Sequence, residues 1–329
     1  MVTVFKERDM AFIHIKKDWV LSDRLATPED VYVNRRYFMK AMGLVGAGAL
    51  IGASSGCEAA GDFVVEVPES IPGLYPATRN EKYRVDRALT PEKIAAQYNN
   101  FYEFTTDKAR VHTLTGKFEI HPWQIEIAGE VEKPGVYDLD DLLKKVTLEE
   151  RVYRFRCVEA WAMTVPWTGF PLKALIDQVQ PKSGAKYVRM VTFNRPEQAP
   201  GIKNESWYPW PYFEGLTMAE ATNELTLLAT GIYGHALPKQ HGAPIRLVTP
   251  WKYGYKSIKS IVKIEFTKRR PSTFWNELAP KEYDFYANVN PKKPHPRWSQ
   301  ASERLIDTGD RVPTRMYNGY EEQVGHLYG

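Results

Sequence analysis

The segment NRRYFMKAMGLVGAGALIGASSGC, residues 34–57, constrains this chain of 329 residues more than any other stretch. Its apolar part, residues 41–55, carries four glycines and falls short of the roughly 20 residues needed to cross a bilayer, so a membrane anchor is a poor reading. Gly46, Gly48 and Gly52 imitate a dinucleotide-binding loop, yet no strand precedes them and no βαβ unit follows. Gly52-Ala53-Ser54-Ser55-Gly56 imitates a nucleophile elbow with the same defect. What remains is an export signal: Arg35 and Arg36, then Phe38 and Lys40, lead into a short, weakly apolar run of small residues. Residues 1–60 therefore read as a twin-arginine signal with a long n-region. Cys57 after Ser54-Ser55-Gly56 leaves lipid anchoring as an alternative, although Ser54 stands where a large aliphatic residue is expected. Chains on the twin-arginine route cross the membrane already folded, commonly because a buried cofactor is inserted first. The expectation is a periplasmic protein, carried by the twin-arginine translocase, with a cofactor inside.

Composition excludes several other classes. A chain that is 43% hydrophobic and 26% charged builds one large core or two smaller ones. The 44 basic and 40 acidic residues nearly cancel, so no polycationic field suits nucleic acid. His14, His112, His121, His235, His241, His295 and His326 form no HExxH or His/Cys cluster, which leaves a zinc site without support. No CxxCH is present, so no haem of the c type is expected on this chain.

From residue 61 to 97 the chain is rich in Pro, Glu and Arg and reads as an extended arm; residues 98–268 carry the globular pattern. Trp123–Gly129, Arg151–Glu159, Tyr187–Phe193, Ile245–Thr249 and Ile258–Phe266 are expected strands. Asp138 is expected to cap a short helix, and Pro166–Pro171 to form a rigid turn into a helix over Leu172–Val179. Strands and short helices mix without βα alternation, the signature of an α+β fold. Residues 269–329, rich in Pro, Trp, Tyr and Asn, read as a wrapping extension of the same domain.

Cys157 is the one cysteine that would remain after signal removal, and an unpaired thiol in an oxidising compartment is expected to be buried or ligating. An inert core cysteine and a metal-binding thiolate are both open at this point. Arg154 and Arg156 would favour thiolate, but strand alternation puts them opposite the sulfur, so the effect requires a bend there.

The stretches YRFRCVEAWAMTVPWTGFPL (153–172), YNNFYEF (98–104), GAPIRLVTPWKYGYKSIKSI (242–261) and FYANVNP (285–291) resemble the catalytic subunits of periplasmic protein-methionine-sulfoxide reductase systems. These are molybdopterin enzymes with the sulfite oxidase-like fold. The resemblance spans roughly residues 90–329 and implies a single catalytic domain without a C-terminal immunoglobulin-like dimerisation domain, hence a monomer or a heterodimer. It implies one Mo-molybdopterin per chain, with Cys157 as the thiolate ligand of molybdenum, a soft donor for that metal. By the same resemblance, Asn99, Tyr102, Glu103, Thr192, His241, Arg246, Ser257, Ile258 and Lys259 contact the cofactor, and Glu159 and Asn100 join Cys157 at the reacting centre. Arg246 and Lys259 are suited to the pterin phosphate. His241 replaces the Asn that better-known members carry before Gly-Ala-Pro. The implied reaction is oxygen removal from free or protein-bound methionine sulfoxide in exported proteins. Electrons would come from a membrane-embedded haem b subunit fed by quinol. Trp161, Trp167, Trp251 and Tyr253 are expected to form an apolar pocket mouth. The competing readings are another sulfoxide or N-oxide reductase, sulfite oxidation or nitrate reduction on the same fold, and a non-redox exported binding protein.

Overall fold

The computed structural model describes residues 63–329; the twin-arginine segment and Cys57 lie outside the described residues. Twelve strands are described: β1 (Gln124–Gly129), β2 (Gly135–Asp138), β3 (Glu149–Arg156), β4 (Trp161–Pro171), β5 (Tyr187–Thr192), β6 (Phe213–Thr217), β7 (Leu227–Ile232), β8 (His235–Ala236), β9 (Arg246–Val248), β10 (Ile261–Thr267), β11 (Ser302–Leu305) and β12 (Arg311–Pro313). They form two mixed sheets. One has the order β2-β1-β10-β5-β6, and the other β12-β11-β4-β7-β8 with β3 on β4 and β9 on β7. β1 runs parallel to β10 and β11 parallel to β4, while the remaining pairs are antiparallel. The α+β expectation is the architecture found.

Local chemistry explains the elements near the site. Asp138 accepts from the backbone N–H groups of Asp140 and Asp141, so the helix Leu139–Leu143 starts where its orphan donors are satisfied. The helix Leu172–Val179 lies where the sequence places it and buries Leu172, Leu175, Ile176 and Val179, a stripe at helical spacing. Pro166–Pro171 differs from expectation: it is the C-terminal half of β4, with a register shift between Thr168 and Gly169. A Cβ on Gly169 would lie 2.1 Å from the Leu228 carbonyl oxygen, so Gly here marks a bulge pressed against β7 rather than a turn. The strand expected over Arg151–Glu159 stops at Arg156, and that expected over Ile258–Phe266 starts at Ile261.

Residues Asp62–Gly329 form one compact unit, so the arm and the tail belong to the body they flank. The arm holds the helix Glu92–Ala96, whose Ala95 and Ala96 are buried. The tail supplies β11 and β12 to the second sheet. Two hydrophobic clusters form the core; Phe101, Phe193 and Ile258 belong to one, and Cys157, Trp161, Trp167 and Trp251 to the other.

Candidate active site

β3 and β4 are a hairpin whose connection, residues 157–160, begins at Cys157. Cys157 N–H donates to the Trp161 carbonyl (2.9 Å) and Ala160 N–H to the Cys157 carbonyl (3.1 Å), while Ala160 closes the turn at φ 62°. The tail clamps this loop. Trp298 Nε1 and Gln300 Nε2 both donate to the Val158 carbonyl, at 2.8 and 2.7 Å, and Arg304 N–H donates to the Ala160 carbonyl at 2.9 Å.

The loop forms one wall of a cavity with about 900 Å³ of empty space, open to solvent. Every site residue expected from the sequence lines it except Thr192: Asn99, Asn100, Tyr102, Glu103, Cys157, Glu159, His241, Arg246, Ser257, Ile258 and Lys259. Thr192 is buried at the end of β5, with its hydroxyl donating to the Ser260 carbonyl at 3.1 Å. It therefore supports the backbone next to Lys259.

At the thiol, Asn100 Nδ2 lies 3.3 Å from Cys157 Sγ and 3.3 Å from Glu159 Oε2, and Glu159 Oε2 lies 3.6 Å from the sulfur. Glu159 N–H points at Sγ from 3.5 Å. The Glu159 carboxylate is held from two sides, by Trp161 Nε1 at 3.2 Å and by Lys108 Nζ at 3.1 Å. Sequence reasoning missed Lys108, which lies in a polar loop with no motif around it. Burial, followed by the Glu159 charge, pushes the thiol up to about 12. The charges of Arg156 and Lys108 act the other way and are outweighed. Arg156 is turned into an ion pair with Glu303 (3.0 Å), and Arg154 pairs with Asp86. With burial dominant the thiol keeps its proton, and a soft metal held there would ionise it.

Deeper chemistry lies on the 241–259 segment. Arg246 donates to the carbonyls of His241 (2.8 Å) and Ser257 (3.2 Å), and its guanidinium stands 4.7 Å over the Trp167 ring. Lys259 donates to the Asn100 carbonyl at 2.7 Å. Burial lowers Arg246 to about 9, and burial with the Arg246 charge lowers Lys259 to about 7. Burial, then Arg246 and Lys259, drop His241 to about 3, so its imidazole is neutral at working pH. Burial raises Glu103 to about 7. The Asn99 amide turns back onto the Ala95 and Ala96 carbonyls, and the Ser257 hydroxyl onto Thr249.

Residues of this kind fit an anionic, heteroatom-rich group. Arg246, buried, and Lys259, half-buried, are cations with carbonyl partners and, among the described residues, no salt bridge. Three further atoms on the same wall, Asn100 Oδ1, Trp167 Nε1 and His241 Nε2, are buried with no partner. Such orphans cost free energy unless a ligand satisfies them. A pterin phosphate answers the cations, the pterin heteroatoms answer the orphans, and the thiol answers a soft metal.

The aromatic wall also needs correction. Trp161 and Trp167 line the cavity; Trp251 and Tyr253 do not. Trp251 is fully buried with Nε1 bonded to the Tyr328 hydroxyl (2.8 Å), and Tyr253 lies beneath the Arg156 guanidinium. Their places are taken by Tyr98, Tyr102, Phe155, Trp275 and Tyr283. The last two come from the tail, whose aromatic bias was the available signal. Thus the extension builds part of the site as well as wrapping it.

Comparison with known proteins agrees with this chemistry. A family model described as "Oxidoreductase molybdopterin binding domain" matches residues 112–275, which include Cys157, His241, Arg246 and Lys259. Fold and site together define a molybdopterin-binding oxidoreductase. The protein-methionine-sulfoxide reductase catalytic subunit MsrP of Burkholderia mallei is 49% identical over 306 residues, 92% of this chain and 91% of that one. The protein of the same name from Pseudomonas syringae pv. tomato is 48% identical over 314 residues, 92% of this chain and 93% of its own. The chain belongs to the family of protein-methionine-sulfoxide reductase catalytic subunits. Among solved structures, the sulfane dehydrogenase SoxCD of Paracoccus pantotrophus aligns with a TM-score of 0.43 at 16% identity, covering 74% of this chain and 60% of that one.

Proposed function

We propose that this chain is the molybdenum-dependent subunit that reduces methionine sulfoxide to methionine in exported proteins. The observation that carries it is a buried thiol, Cys157, in an aromatic-walled cavity whose unpaired polar atoms and two cations, Arg246 and Lys259, suit a phosphorylated pterin. The name shared by relatives about half identical over nearly the whole chain supports the substrate. Bound molybdenum supplies the two-electron oxygen acceptance that converts a sulfoxide into a thioether. Over a full turnover, two electrons and two protons accompany that oxygen to water.

The residues here bind and orient. Arg246 and Lys259 take the phosphate, His241 Nε2 and Trp167 Nε1 meet pterin atoms, and Cys157 holds the metal. Asn100 sets the spacing between the sulfur and the Glu159 carboxylate by donating to both. Lys108 neutralises Glu159, and with Arg246 and Lys259 given to the phosphate the remaining wall is largely aromatic. That suits a neutral sulfoxide better than sulfite or nitrate, for which free Arg or Lys would be wanted.

The rest of the reading follows the family and the N-terminal motif. One cofactor is bound per chain, with no haem on the chain itself. Electrons arrive from a membrane-embedded haem b subunit fed by quinol. The twin-arginine translocase delivers the folded holoprotein to the periplasm. The test is oxidation of a reduced dye by the holoenzyme with methionine sulfoxide or nitrate, beside reduction of an oxidised acceptor with sulfite. Turnover with methionine sulfoxide far above the other two is expected; a preference for either anion would overturn the reading.

A further inference from the structure

Trp207 is the one exposed tryptophan among the described residues, 66% accessible. An exposed indole is normally mobile, yet this one is fixed. Its Nε1 donates to Glu205 Oε2 at 2.9 Å, and its ring lies on that of Tyr208, centroids 3.8 Å apart. The loop beneath is itself braced, because Tyr208 N–H and Trp210 Nε1 both donate to the Glu205 carbonyl, at 3.1 and 2.9 Å. Tyr208 continues inward, with edge contacts to Tyr102 and Trp275 at 6.2 Å each; Tyr102 and Trp275 also meet at 5.1 Å and both line the Cys157 cavity. The indole is thus the outermost ring of an aromatic path that ends in the wall of the Cys157 cavity.

We propose that Trp207 and Tyr208 form a specificity subsite for the polypeptide substrate, gripping a large apolar side chain near the methionine sulfoxide. This rests on the sulfoxide reductase reading above and adds the kind of chain preferred. An extended peptide advances roughly 3.3 Å per residue and returns to the same face every second residue, so a side chain two or four positions from the sulfoxide shares its face and spans ring-to-ring steps of 3.8 and 6.2 Å from Trp207 to Tyr102 when the sulfoxide is in the cavity. Aromatic rings fixed in advance bind such a group at small entropic cost. An electron relay through the same rings is disfavoured, since Tyr and Trp are oxidised only at potentials far above those of a quinol donor.

The test uses holoenzyme, a reduced dye as electron source, and three substrates: free methionine sulfoxide, a capped peptide with Phe two and four residues from the sulfoxide, and the same peptide with Gly in place of Phe. Wild type is expected to favour the Phe peptide over the Gly peptide, mainly through KM. Trp207→Ala should erase roughly three- to tenfold of that preference, the worth of one aromatic contact, and leave free methionine sulfoxide turnover and molybdenum content unchanged. Trp207→Phe should retain most of it. A preference absent from wild type, unchanged in Trp207→Ala, or lost equally for all three substrates overturns the proposal. Failure of wild type on free methionine sulfoxide would instead overturn the underlying reductase reading.

Discussion

His241 shows how a single departure in sequence acquires a physical meaning once its surroundings are known. Burial and the charges of Arg246 and Lys259 hold the folded imidazole at about 3, against an ordinary value near 6.5. The unfolded chain therefore takes up a proton that the folded chain refuses. The stability contributed by neutral His241 is complete above pH 6.5 and lost as pH falls towards 3, at up to about 1.4 kcal/mol per pH unit. His241→Asn should remove that slope. Urea unfolding of the two apo-proteins at pH 7.5 and pH 5 is expected to show the wild type losing more; equal losses would contradict the assignment. Sequence placed His241, Arg246 and Cys157 in one site because the family motifs carry them. It could not show where Arg154 and Arg156 point, since their partners Asp86 and Glu303 lie far away along the chain.

At the level of elements, the hairpin that presents Cys157 depends on features that sequence reads ambiguously. Pro166 and Gly169 look like turn residues, and the structure uses them inside an eleven-residue strand, where the bulge lets β4 lie flush on β7. A side chain at Gly169 would strike the Leu228 carbonyl. Gly169→Ala is expected to cost about 1–3 kcal/mol in urea unfolding, the usual scale for overpacking. A midpoint equal to that of wild type would mean that the bulge relaxes freely. By contrast, the helix Leu172–Val179 was legible because its apolar stripe is local and needs no knowledge of a partner strand.

The molecule as a whole is tied together at Glu303 on β11. This buried carboxylate bonds Arg156 at the end of β3 and Arg87 of the N-terminal arm, both at 3.0 Å, so arm, site hairpin and tail share one anion. Removing it leaves Arg156 buried and uncompensated, so Glu303→Ala should lower stability by about 3–5 kcal/mol, and Glu303→Gln by less. Denaturation midpoints check the order of the two variants, and a neutral alanine variant would dissolve the account. Such long-range closure is what sequence conceals. The tail was legible as a wrapping extension, but Trp275 and Tyr283 in the cavity and Gln300 on the Cys157 loop emerge only from the fold.

The central claim is that Cys157 is the protein ligand of a molybdenum bound in this cavity. X-ray absorption at the molybdenum edge, on holoprotein made in a cofactor-competent host, measures it directly. The account predicts molybdenum with one sulfur neighbour more in wild type than in Cys157→Ser. An identical sulfur count in the two proteins, or wild-type protein without stoichiometric molybdenum, would contradict it.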